Sequence, residues 1–101
     1  MTASPETVSI PASVLIVDDH EENRAALKAI LAPAGYRLVE ADSGREALLR
    51  LLDGEFAVLL IDVVMPGMNG FELASAIKER ERTANVPIVP VFPLAEISSV
   101  F

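Results

Sequence analysis

Three carboxylates could do chemistry together in this sequence: Asp18, Asp19 and Asp62. Asp18 and Asp19 directly follow the apolar run Val14-Leu15-Ile16-Val17. Asp62 closes residues 56–61, the most apolar run in the chain. If the two runs are neighbouring parallel strands, the three acids converge beyond the strands' carboxyl ends, where open α/β sheets bind ligands. Like charges that close raise one another's pKa, and protons are retained. A hard divalent cation removes the conflict. Mg²⁺ takes oxygen ligands, asks few of them from the protein and keeps several waters. The cluster therefore predicts a Mg²⁺ site with an open face for a phosphoryl group. An aspartate after a strand also serves as a turn residue or helix N-cap, and for Asp18-Asp19 alone that plainer role is the better reading. Asp62 at the mouth of a wholly apolar strand changes the balance, because charges are rarely placed there without a use.

The elements that would position these acids can be read from periodicity. The β-branched run 14–17 suits a strand buried on both faces. Residues 21–31 carry Ala26, Leu27, Ile30 and Leu31 on one helical face, and Pro33 and Gly35 end that helix. Residues 37–40 form a short second strand. Ser43 and Glu46 read as a capping box opening a helix with Ala47, Leu48, Leu51 and Leu52 on one face, stopped at Asp53-Gly54. Residues 56–61 form the third strand, and 63–70 a loop rich in Met, Pro and Gly. A third helix is expected over 70–82, with Phe71, Leu73, Ala74 and Ile77 as its apolar set. Residues 86–91 read as a fourth strand. The prolines at 87, 90 and 93 leave a polyproline-type segment as the alternative. Strand–helix alternation predicts a parallel sheet with helices on both faces.

Composition narrows the function class. The chain has 101 residues and room for one domain. It has no cysteine, which excludes a disulfide scaffold and suits a reducing compartment. Its formal charge of −7 argues against direct nucleic-acid binding, which needs a basic face. No stretch has the length and apolarity of a membrane span, and the start does not resemble a signal peptide. A cytoplasmic protein is expected, with residues 1–13 as a polar N-terminal leader and 14–101 as the domain. His20 is expected as a partly exposed residue opening the first helix rather than a metal ligand. Tyr36 and the Met65/Met68 pair read as packing residues.

Two segments resemble those of a known family. Val14-Leu15-Ile16-Val17-Asp18-Asp19 and Leu59-Leu60-Ile61-Asp62-Val63-Val64-Met65-Pro66-Gly67-Met68-Asn69-Gly70 are similar to the signature segments of response-regulator receiver domains. Ala41-Asp42-Ser43-Gly44-Arg45-Glu46-Ala47-Leu48 matches in place. The resemblance runs from about Val14 to Val89. It implies a flavodoxin-like, doubly wound parallel sheet, and a signalling domain rather than an enzyme. It implies that Asp62 accepts a phosphoryl group from a sensor histidine kinase or phosphotransfer protein. It also implies that Asp18, Asp19, Asp62 and the backbone carbonyl of Val64 hold Mg²⁺. The apolar side chain of Val64 could not orient a hydrolytic water, which would favour a longer-lived phosphoryl state. Pro66 and Gly67 would shape the loop beside the site, and Asn69 and Gly70 would start the third helix.

The pattern departs from the family at its C-terminal end. A receiver places a hydroxyl residue after strand four and a Lys after strand five. Here Phe92 and Pro93 stand at the first position, and no Lys follows. The sheet is therefore expected to be incomplete, with about four strands and neither strand five nor helix five. Residues 94–101 read as the start of a fourth helix cut short, so a fragment of an ordinary receiver is one explanation. A four-stranded sheet would leave strand four as an edge, where Pro90 is tolerated. A homodimer covering that edge is expected. Two functions stay open: a phosphoacceptor receiver with a compromised switch, and a degenerate receiver that acts as a phosphorylation-independent dimerisation or interaction module.

Overall fold

The computed structural model describes residues 12–92. The elements run β1 (Ser13–Val17), α1 (Glu21–Leu31), a 3₁₀ turn (Ala32–Ala34), β2 (Arg37–Ala41), α2 (Gly44–Asp53), β3 (Val58–Asp62), α3 (Gly70–Glu79) and β4 (Ile88–Val91). The strands form one parallel sheet in the order β2-β1-β3-β4. This is the flavodoxin-like arrangement expected, with four strands among the described residues. Most of the expected leader and the segment 94–101 lie outside those residues, although Ser13 already belongs to β1.

The two faces of the sheet separate by the period of two. Leu15 and Val17 of β1, Ala41 of β2, and Leu59 and Ile61 of β3 form one buried cluster with Ala47 and Leu51 of α2 and Leu73 and Ile77 of α3. Glu40 alternates with Val39 and Ala41, so it faces the other way. There it meets Arg24 and Lys28 of α1. α1 therefore lies on the opposite face from α2 and α3, over the fully buried Val14 and Ile16.

Several expectations shift. The apolar face of α1 is only partly covered: Leu27 and Leu31 are half-buried, no residue of the helix is fully buried, and Ile30 is 71% exposed. Leu52 and Phe71, read as inward, are exposed. α3 ends at Glu79, short of residue 82. Its last carbonyls are taken by a tight turn, in which the Thr83 hydroxyl donates to the Ile77 carbonyl at 2.7 Å and the Arg80 N–H donates to the same group. Such bonds satisfy the orphan groups of a helix end without another helical turn. β3 begins at Val58 rather than residue 56, and β4 at Ile88 rather than 86. The strand reading of the proline-rich segment holds against the polyproline alternative. The carbonyls of Pro87 and Val91 accept from Leu59 of β3 and from Val63 directly after it. Pro90, out of step with them, turns its missing N–H away from β3, as an edge permits.

Gly70, the first residue of α3, is pressed onto the end of β3. A Cβ there would lie 2.5 Å from the Asp62 carbonyl oxygen and 2.7 Å from the Val63 Cα. Both are backbone atoms and cannot rotate away. We expect Gly70→Ala to cost about 1–3 kcal/mol, the range of an overpacked core site. Chemical denaturation would measure it, and an unchanged midpoint would show that the strand end yields freely.

Candidate functional site

β1 and β3 run side by side with Val17 opposite Ile61, so the residues that follow them are brought together. Asp18 is 3% exposed and Asp62 1% exposed. Asp19 sits at the rim, half-buried. One ligand atom from each of Asp18, Asp19, His20 and Asp62 lies within 4.8 Å of the others. The three acids singled out from the sequence thus meet in one pocket.

Local backbone bonds set each carboxylate. The His20 N–H donates to Asp18 Oδ1 at 2.9 Å, and the Val64 N–H donates to Asp62 Oδ1 at 3.0 Å. Each is an aspartate accepting from the backbone two residues on, the turn that follows a strand cheaply. The Asp18 N–H is tied to the Ala41 carbonyl of β2. The remaining oxygen of Asp62, Oδ2, is buried without a hydrogen-bond partner, and so is Asp19 Oδ1. Buried polar atoms are nearly always paired, so two orphans in one pocket fit a cation as their partner. His20 Nδ1 lies 3.1 Å from Asp19 Oδ1, yet without the alignment of a hydrogen bond. Burial pushes the Asp62 carboxyl above its ordinary value. The charges of Asp18 and Asp19 push the same way, while the Val64 N–H opposes them. An oxygen-seeking divalent ion fits this donor set.

A basic pair behind the pocket was not found in the sequence. Arg24 donates through Nη1 to the Asp18 carbonyl at 2.7 Å and through Nε to Glu40 at 3.0 Å. Lys28 donates to the other Glu40 oxygen at 2.9 Å. These two bonds, Lys28 first, hold the Glu40 carboxyl below its ordinary value. An acid inside the second strand, Glu40 between Val39 and Ala41, was the available signal. The loop after Asp62 is also well defined. Met65 is buried in the core beneath it, and Gly67 turns with a positive φ of 78°. Asn69 and Glu72 form a full capping box at the start of α3. The box expected at α2 is offset by one. Ser43 caps the Glu46 N–H, but Glu46 reaches back to the Asp42 N–H rather than to Ser43. Tyr36 is exposed rather than packed. Phe92, directly after β4, is exposed too and offers no side-chain donor.

Residues 14–93 match the family model of the response regulator receiver domain. The chain belongs to that family. The receiver is similar to the virulence sensor protein BvgS of Bordetella bronchiseptica, 42% identical over 79 residues, which are 78% of this chain and 6% of that protein. It is also similar to the phosphate regulon transcriptional regulatory protein PhoB of Pseudomonas aeruginosa, 35% identical over 76% of this chain and 34% of that one. The receiver thus spans a small part of these relatives, which are a sensor and a transcriptional regulator. Among solved structures, the Vibrio cholerae chemotaxis protein CheY4 superposes with a TM-score of 0.76 at 33% identity, covering 90% of this chain and 79% of CheY4. TrrA of Thermotoga maritima, in complex with Mg²⁺-BeF, gives 0.76 at 30% identity, over 87% and 75% of the two chains. The receiver therefore serves two-component phosphorelay signalling. No helix among its described residues is long and apolar enough to cross a membrane.

The raised Asp62 has a sign that can be tested in chelator. A carboxyl whose folded value lies above its unfolded value of 3.8 stabilises the fold below that value, and the contribution is lost as pH rises through the folded value. At neutral pH burial of the ionised Asp62, with two further carboxylates beside it, then strains the metal-free pocket. We expect Asp62→Asn to stabilise the chelated receiver near neutral pH by about 1 kcal/mol, and the difference from wild type to vanish below the ordinary Asp range. Melting curves of both proteins across pH measure this. A variant no more stable at neutral pH would show that the pocket carries no such strain.

Proposed function

We propose that Asp62 is the phosphoacceptor, taking a phosphoryl group from the phosphohistidine of a sensor histidine kinase or phosphotransfer protein. The observation that supports this most is Asp62 Oδ2. It is buried at the end of an apolar strand, unpartnered, and beside two further carboxylates. Phosphoryl transfer asks a protein chiefly for positioning and for neutralisation of oxygen charge. Asp62 supplies the attacking oxygen, and the Val64 N–H holds its partner oxygen in place. As the new O–P bond forms, the P–N bond to the donor imidazole breaks, and the bond pair stays on that nitrogen, which takes up a proton. The product is an acyl phosphate on Asp62.

Asp18, Asp19, Asp62 and the Val64 carbonyl are the groups that would hold Mg²⁺. The bound ion would neutralise charge on the carboxylates and on the phosphoryl oxygens. TrrA, with its Mg²⁺-BeF complex, supports the same use of this chain's acids. A cytoplasmic setting, where a kinase's transmitter domain is reached, fits this role. The interaction-module alternative is the weaker reading, because the whole acidic pocket is assembled.

Intact mass after incubation with Mg²⁺ and a small phosphoryl donor tests the proposal. One phosphoryl adduct is expected in wild type and none in Asp62→Asn. A folded wild-type sample with no adduct overturns it. Homodimerisation along the exposed β4 edge is a separable part of the reading. Sedimentation is expected to show a dimer, and a monomer at tens of micromolar (a concentration of about that order detects weak association) removes that part.

A further inference from the structure

His20 stands at the N-cap of α1, yet its side chain makes no capping bond. Good N-caps are short side chains with an oxygen, and histidine is not among them. Helix initiation therefore does not explain this residue. Its backbone N–H is fixed to Asp18 Oδ1, and that turn carries the imidazole over the carboxylates. Nδ1 lies 3.1 Å from Asp19 Oδ1 and 3.4 Å from Asp18 Oδ1, while the side chain is 56% exposed on its other side. Donors at adjacent corners around an ion with bonds of about 2.1 Å stand roughly 3.0 Å apart. The spacing of His20 from the two acids is close to that edge. The buried, unpartnered Oδ2 of Asp62 points independently to a cation in the same space.

We propose that His20 is a fourth protein ligand, which makes the pocket a mixed carboxylate–imidazole site that takes a first-row transition cation such as Ni²⁺ or Zn²⁺ through Nδ1. The inference rests on the reading that Asp18, Asp19 and Asp62 hold a divalent ion, and it adds which ions the pocket favours. Carboxylate and water suit Mg²⁺, whereas imidazole suits nickel and zinc. A nitrogen donor contributes little to Mg²⁺ binding and much to Ni²⁺ binding. His20 thus separates the two ions where three carboxylates alone would separate them less.

The test is calorimetric titration of the full chain with Ni²⁺ and with Mg²⁺, in wild type, His20→Ala and Asp62→Asn. Loss of a direct ligand should weaken Ni²⁺ binding at least as much as loss of a ligand's supporting contact, about tenfold or more. Mg²⁺ binding should hold within about twofold, since its oxygen ligands are untouched. The chain has one histidine, so a long-range ¹H–¹⁵N spectrum of wild type reports on His20 alone. Zn²⁺ should move the Nδ1 resonance, and Mg²⁺ should leave it in place. If both ions bind and both depend on Asp62, but Ni²⁺ binds His20→Ala as tightly and Zn²⁺ leaves Nδ1 unmoved, the inference falls and the three-carboxylate reading stands. If neither ion's binding depends on Asp62, the underlying reading falls with it.

Discussion

The constraint on which this structure turns is repulsion among negative charges at the ends of two parallel strands. β1 and β3 pair directly, so Asp18 and Asp62 cannot move apart without breaking the sheet. Both are nearly inaccessible to water, which leaves little solvent to screen them. Much of the surrounding architecture keeps the acids in place. Arg24 grips the Asp18 carbonyl from α1, the turn after β3 engages Asp62, and Gly70 brings α3 against the backbone of the same residue. The cationic groups of Arg24 and Lys28 are committed to Glu40, on the sheet's other face. The fold thus concentrates negative charge at this end of the sheet.

The parts legible in the sequence are those governed by short-range rules. Val14-Leu15-Ile16-Val17 has one strong reading because an unbroken β-branched run fits a strand covered on both faces. Asp62 stood out because a charge ends an apolar strand. A helix start was visible where a polar cap precedes a periodic stretch, as at Ser43, whereas the start at Asn69 came from the family resemblance. Less legible was which of two apolar stripes is covered. Ile30 and Phe71 fit their helical faces, yet both are exposed, because burial depends on neighbours that periodicity does not encode. The end of α3 was missed for a related reason. Residues 80–82 are good helix formers, and what stops the helix is a hydroxyl at Thr83 folding back on Ile77.

Within the site, the three aspartates were identifiable and the side chains around them were not. Arg24 and Glu40 belong to different elements, and only the three-dimensional crossing of α1 over β2 joins them. His20 was read as the plain opening residue of α1. It does open that helix, and its imidazole also faces the acids, a combination that spacing alone does not distinguish.

The contact of Gly70 with the Asp62 carbonyl has a mechanical consequence. The strand end and the helix start share a single van der Waals wall, with no side chain between them to compress. A displacement of the β3 tip of even a fraction of an ångström has no slack to be absorbed in. It must tilt or shift α3 as a rigid lever, and the capping box at Asn69 and Glu72 stiffens that lever at its fulcrum.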